Sequence, residues 1–301
     1  MSEDSRLQST IARAFTLHGI GVHSGTPVSL TFHPGAPDSG IVFTQVHPDG
    51  SVVTIPAISA NVGSTDFCTV LCQGETAAVG TVEHVMAALS GLEIDNVELE
   101  IMGSEVPILD GSAAAFIDAI DGAGRTIQNA PRRFLRVLKT VRAERGGSWA
   151  ELTPHDGRRF EIDIDFDCTL IGRQSWHGDL DAETFRHELA RARTFGFMRD
   201  VERLWASGHA LGSSLENSLV ISDDDTVING DGLRFADEFA RHKTVDAIGD
   251  LALAGGHLLG CYRSYRGGHR LNGMALQALL SDPTAYAVVG GDEADAIAVL
   301  G

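Results

Sequence analysis

Strand-like alternation in some stretches and helical spacing in others predict a protein of mixed strands and helices for these 301 residues. Three observations carry that expectation. Residues 6–60 alternate in short apolar runs, such as Val28-Ser29-Leu30-Thr31-Phe32, broken by His-Pro-Gly and Pro-Asp-Ser-Gly turns, the pattern of strands and hairpins. Residues 81–92 and about 235–254 instead repeat apolar side chains at helical spacing. Between them, residues 122–133 mix Gly, Asn, Pro and Arg and read as a linker. The length allows one large domain or two of about 130–170 residues, and the linker favours two, 1–128 and 129–301.

The elements follow in order. Gly19-Ile20-Gly21-Val22-His23-Ser24-Gly25 is a glycine-rich turn; it lacks the following helix and the Lys-Ser/Thr of a phosphate loop. The helix at 81–92 carries Val82, Val85, Met86, Leu89 and Leu92 on its apolar side, and Gly91 breaks it. A strand at 97–101 alternates strictly, and Ser112 is placed to cap a helix over 113–120. Strands are expected at 134–142, 148–152 and 160–166, then a helix over 182–193. Residues 201–232 are loop-rich, with Asp223-Asp224-Asp225 a solvated turn. The helix from about 235 to 254 ends at Gly255-Gly256; a strand at 257–265, a helix at 273–280 and a small-residue tail complete the chain.

Composition narrows the function. Hydrophobic residues make up 43% and charged residues 21%, the balance of a soluble globular protein. A net charge of −18 repels phosphate backbones and argues against nucleic-acid binding, while leaving room for a small anionic substrate met by a few local cations. The opening Met-Ser-Glu-Asp-Ser-Arg has no apolar stretch behind it, so no secretory signal is expected, and no apolar run approaches the roughly 18 residues of a transmembrane span. The default address is the cytoplasm. Cys68, Cys72, Cys168 and Cys261 form no Cys-x-x-Cys pair and read as free thiols.

The chemistry gathers on the two helices. His84 follows Glu83 at the head of the first, and His242 and Asp246 lie four residues apart on one face of the second. His84, His242 and Asp246 make a two-His, one-carboxylate set with Glu83 beside it as a base. Three protein ligands with an open fourth position suit a catalytic zinc, whereas a structural zinc takes four. A lone helical His ordinarily makes a local hydrogen bond. Here two imidazoles and two carboxylates sit in Ala- and Leu-rich helices, where they are costly unless something pairs them. Asp250, one turn beyond Asp246, is too far along to share the ion easily and is better suited to hold an imidazole; His269, after Gly267-Gly268, is the candidate, although its spacing equally fits an exposed loop His. Lys243 is the nearest cation and a candidate for a substrate phosphate, against the ordinary reading of a surface lysine. In Thr194-Phe195-Gly196-Phe197-Met198, core packing explains Phe197 and Met198 as well as an apolar passage does, with Thr194 offered to an oxyanion.

Six stretches, TVEHVMAALSGLEIDNVELEI from 81, SEVPILDGSAAAF from 104, RARTFGFMRDVE from 191, NGDGLRF from 229, DEFARHKTVDAIGDL from 237 and GGHRLN from 267, together resemble the UDP-3-O-acyl-N-acetylglucosamine deacetylases, zinc hydrolases of lipid A biosynthesis. The resemblance implies two α+β domains, each a sheet layered on helices, packed helix face to helix face around the active site. It implies metal on His84, His242 and Asp246, with Glu83 as general base, Thr194 on the oxyanion, and His269 as a cation oriented by Asp250. By the same resemblance Lys243 faces the phosphates, Phe195 the sugar, Cys68 the edge of the site and His23 the mouth. Val22, Met198, Val201, Ala210, Ser214 and Val220 line an acyl passage. The implied substrate is a UDP-acyl-sugar, the cofactor Zn2+ with Fe2+ as the alternative, and the state a monomer. Gly212-Ser213-Ser214-Leu215 and Cys168-Thr169 depart from the Gly-Gly-Ser-Phe and His-Pro that members often carry, which bears on substrate fit rather than on the metal. An amidase for another substrate and a catalytically silent sugar-nucleotide binder are the rival readings.

Overall fold

A computed structural model describes residues 6–74 and 77–290. Of the small-residue tail expected after residue 280, residues 291–301 lie outside the described residues. Among them β1 (Leu7–Ile11), β2 (Phe15–Ile20), β3 (Pro27–Pro34), β4 (Ile41–Val46), β5 (Val52–Pro56), β6 (Leu71–Gln73), β7 (Ala77–Val79), β8 (Val97–Met102) and β9 (Arg125–Pro131) surround two helices, α1 (Glu83–Gly91) and α2 (Ala114–Ala123). Five of these strands form a sheet in the order β2-β3-β8-β4-β5, with only β4 and β8 parallel. Period-two alternation sorts its faces: Val28, Leu30 and Phe32 of β3 and Val97, Leu99 and Ile101 of β8 are buried, while Thr31 and Glu100 turn outward.

The remainder carries β10 (Arg133–Val137), β11 (Val141–Arg145), β12 (Ser148–Thr153), β13 (Arg158–Asp165), β14 (Arg173–Asp179), β15 (Phe195–Phe197), β16 (Leu219–Ile221), β17 (His257–Tyr265) and β18 (Tyr286–Gly290). The helices there are α3 (Ala182–Thr184), α4 (Val201–Ala206), α5 (Glu238–Ala252) and α6 (His269–Ser281). In the seven-stranded sheet β17 is the hub, antiparallel to β12 and parallel to β10 and β13. Sheets and helices thus form the expected α+β arrangement, and most of the buried apolar side chains join one contiguous core.

Several expected elements differ. The 122–133 linker is mostly β9, paired antiparallel with β1 and tied down where Asn96 donates to Gln128 and Gln128 to the Gly35 carbonyl. Its polar composition hid a strand, anchored through Gln128. The expected strand at 134–142 is two strands, β10 and β11. β14 was not expected, since only Trp176 of its seven residues is buried at this sheet edge. The helix expected over 182–193 shrinks to α3 and a π turn at Phe185–Leu189. Beyond it Arg193 turns inward, pairing with Glu238 at 2.9 Å and Asp231 at 2.9 Å. No described helix is long and apolar enough to cross a membrane.

The contact that positions the site is between α1 and α5. All nine α1 residues are buried, so this helix cannot be a surface element with one polar shoulder. A Cβ on Gly249 would collide with the Glu83 carbonyl, so only glycine lets α5 approach the first turn of α1 this closely. Gly91 at the other end of α1 likewise lies under the Phe185 ring.

Candidate active site

That backbone-to-backbone crossing sets Glu83 and His84 of α1 against His242, Asp246 and Asp250 of α5. The ligand atoms of His84, His242 and Asp246 lie within 4.8 Å of one another, and all three side chains are buried. Asp246 Oδ1 is the common point: His242 Nε2 is 3.2 Å and His84 Nε2 3.7 Å away. That oxygen has no hydrogen-bond donor although it is shut off from solvent, and His84 Nδ1 is equally without a partner. His242 Nδ1 contacts the Ala192 carbonyl at 3.1 Å, which makes Nδ1 the donor and leaves the Nε2 lone pair facing Asp246. Burial lowers the His84 pKa, favouring the neutral imidazole that binds metals. A buried oxygen without a donor between two imidazoles is costly unless a cation completes it, so the donor set fits a divalent metal.

A second set of polar groups surrounds this centre. His269 opens α6, four residues before the helix expected from periodicity, and is nearly buried instead of lying in an exposed loop. Its Nδ1 is 2.9 Å from Asp250 Oδ2, and Nε2 lies 3.8 Å from Glu83 Oε1 and 3.9 Å from Asp246 Oδ2. Asp250 also accepts from Asn272 Nδ2 at 2.7 Å and from the Thr69 hydroxyl at 2.6 Å. Glu83 Oε2 accepts the Thr69 backbone N–H at 3.0 Å. Burial would lower the His269 pKa, but Asp250, Glu83 and Asp246 outweigh it and raise it to about 10. Burial pushes Glu83 up to about 7; His269 opposes the rise, and Asp250 and Asp246 add to it. The pair is a poised carboxylate facing a lasting cation.

Lys243 lies at the metal group. Its Nζ donates to Asp246 Oδ2 at 2.8 Å and sits 5.5 Å from the Phe195 ring centroid. Asp246 is held well below the usual carboxylate range, Lys243 and His242 overcoming the cost of burial.

The centre opens into a cavity of about 530 Å³, within the range of small-molecule sites. Thr194, Phe195, Met198 and Val201 line it together with Val22, His23, Ala210, Ser214, Val220 and Lys243, so the expected passage residues converge. Phe67, Leu204, Trp205 and Leu215 line it too, without having been singled out. Phe67, Met198, Trp205 and Leu215 are exposed there, an apolar surface that water alone would not favour. Cys68 is the exception. It does not line the cavity; burial, then Glu83, push its thiol up to about 12, which leaves it protonated and inert. Phe67, at φ 67, lines the cavity instead, and Cys68 is turned to the interior.

A neighbouring cavity of about 510 Å³ meets the first at Phe67 and His269. Arg145, Arg266 and Arg270 line it. In a chain of net charge −18 this is a local exception. Arg266 and Arg270 flank the Gly-Gly-His motif, a signal that pointed to His269 but was not extended to its neighbours.

Comparisons with known proteins agree with this geometry. Residues 8–281 match the family model described as UDP-3-O-acyl N-acetylglycosamine deacetylase. Curated proteins named UDP-3-O-acyl-N-acetylglucosamine deacetylase from Brucella ovis, Brucella abortus (strain 2308) and Brucella melitensis biotype 2 are each 58% identical over 282 residues, covering 94% of this chain and 98% of the relative. With the match running through both metal-group helices and nearly the full length, the chain belongs to the UDP-3-O-acyl N-acetylglycosamine deacetylase family.

Proposed function

We propose that this protein hydrolyses the N-acetyl group of UDP-3-O-(3-hydroxyacyl)-N-acetylglucosamine, releasing acetate and the free amine in the committed step of lipid A biosynthesis. The observation that carries the reading is the donor-free Asp246 Oδ1 between His84 and His242, at the base of an apolar cavity. Zinc is the proposed ion: three N/O ligands leave one position open, and iron(II) is the alternative that the same donors accept. When bound, the cation supplies Lewis-acid chemistry, drawing electron density from the amide carbonyl and acidifying water.

The chain's own residues do the rest. Glu83, once deprotonated, removes a proton from the attacking water as its oxygen bonds to the acetamide carbon. The Thr194 hydroxyl and the His269 imidazolium donate to the developing oxyanion; one such donor is typically worth about 2.7–4 kcal/mol. The C–N bond breaks as a proton reaches the nitrogen, from His269 or returned by Glu83. Asp250 fixes His269 through Nδ1 and leaves Nε2 directed at Glu83 and Asp246. Lys243 holds Asp246 in place. The acyl chain occupies the apolar cavity, with Phe195 against the sugar and His23 at the mouth. The arginine-lined cavity takes the diphosphate, for which guanidinium forks are well shaped. A cytoplasmic address fits a substrate made from a nucleotide sugar and the four free thiols, and the proposed state is a monomer.

The test couples bound-metal analysis to acetate release on the purified protein. UDP-3-O-acyl-GlcNAc should be turned over and simple N-acetyl sugars should not. Equal turnover of simple sugars would assign the chain to a different amidase, and binding without acetate release would make it a silent binder.

A further inference from the structure

Thr69 spends every polar group it has on the catalytic machinery. Its backbone N–H donates to Glu83 Oε2 at 3.0 Å, and its hydroxyl donates to Asp250 Oδ1 at 2.6 Å. Its carbonyl accepts from Val82 N–H at 3.3 Å, the residue that caps the helix bearing Glu83 and His84. The side chain is 2% exposed, so water does not compete for these bonds. The hydroxyl contact joins positions 181 residues apart in the chain. Asp250 Oδ2 already takes His269 and Asn272, which leaves the Thr69 hydroxyl as the donor on Oδ1. Two residues earlier, Phe67 lines the substrate cavity.

We infer that Thr69 is a positioning residue. It clamps the Glu83 carboxylate to the Asp250–His269 pair across the packed helices, and so sets the distance between the group that takes a proton and the cation opposite it. Glu83 Oε1 and His269 Nε2 are 3.8 Å apart, too far to bond each other and near enough for one reacting group to lie between. Without a clamp, opposite charges in a dry site close on one another. Thr69 holds each on the side away from the other. The hydroxyl does this for Asp250, and through it for His269; the N–H does it for Glu83. The inference deepens the proposed deacetylase reading and rests on its roles for Glu83 and His269.

Thr69→Val separates the two functions, since it keeps shape and backbone N–H and loses only the hydroxyl. Removing the donor from a buried carboxylate oxygen costs enough to shift the pair, and a small misplacement of catalytic groups lowers rate by about 10- to 100-fold. The expected result on UDP-3-O-acyl-GlcNAc is that loss in kcat, with KM within about twofold and metal content unchanged. Thr69→Ser, which keeps both donors, should restore kcat to near the parent value. A Val variant with parental kcat, a Ser variant as slow as Val, or a loss accounted for by missing metal or raised KM would each overturn the inference. Should Thr69→Val fail to fold, Thr69→Ala measured against Thr69→Ser carries the same expectation. Glu83→Gln runs alongside: if it stays active the underlying base assignment fails, whereas a dead Glu83→Gln with an unaffected Thr69→Val rejects only the clamp.

Discussion

Lys243 Nζ lies 2.8 Å from Asp246 Oδ2, the oxygen turned away from His84 and His242. The lysine therefore neutralises and orients the carboxylate that a metal would share, with one oxygen bonded to the ammonium and the other left for the ion. Supports of this kind typically cost about 10- to 100-fold in metal affinity when removed. Lys243→Met, which keeps the stem and drops the charge, should weaken metal retention by about that factor in competition with a chelator. Parental retention with a raised KM would instead return Lys243 to the substrate phosphates.

Glu83 and Asp246 should fail in opposite ways. Glu83 is outside the His84–His242–Asp246 group, so Glu83→Ala should keep the metal and lower turnover by about 10²–10⁴-fold, the usual worth of a general base. Asp246→Ala removes the oxygen common to both histidines and should lose the metal outright. Metal-to-protein ratios on the two variants check this, and an Asp246→Ala protein with full metal would remove Asp246 from the ligand set.

The rate should be bell-shaped in pH. Glu83 must be deprotonated to act, so activity rises as pH climbs through its pKa, raised to about 7 by burial; a nearby dication lowers that value and shifts the acid limb down. His269 must stay protonated, so activity falls as pH climbs through about 10. Asp250 leads the groups that raise His269, and Asp250→Asn should bring the alkaline limb down toward the ordinary His range. An alkaline limb that does not move with Asp250→Asn belongs to another group.

Gly196 lines the large cavity, and a Cβ built on it meets nothing within 4 Å. A side chain there projects into open space rather than into the protein. Gly196→Phe should therefore leave folding and metal content intact while lowering kcat/KM for long-acyl substrates much more than for short-acyl ones. Equal losses across chain lengths would place the acyl chain elsewhere.

How much of this was legible beforehand follows from physical range. His242 and Asp246 share a face by helical arithmetic, and Glu83 adjoins His84 in the chain, so both pairs could be read without coordinates. That the two helices meet could not, because it depends on Gly249 lying under the Glu83 carbonyl. Thr69 was invisible for the same reason: two of its three bonds use backbone groups, which carry no signature in residue type. Cys68 and Phe67 exchanged roles because a single-residue turn of the loop decides which faces the cavity; Phe67 sits at φ 67, outside any regular period. Polar strands such as β9 and β14 escaped because alternation is read from apolar residues.

Gly249 gives the sharpest structural test. It is buried near the C-terminal end of α5, where alanine is still ordinarily the better helix former, by up to roughly 1 kcal/mol. Propensity alone predicts that Gly249→Ala stabilises the protein. The geometry predicts the reverse, because the added methyl would overlap the Glu83 carbonyl and push α1 away from α5. Overpacking of this kind typically costs about 1–3 kcal/mol, which outweighs the propensity gain. The displaced carbonyl belongs to Glu83, the proposed base, with His84 next in the chain, so activity and metal retention should fall together with the melting temperature. A Gly249→Ala protein that melts higher and keeps its metal would show that the two helices are not held at backbone contact.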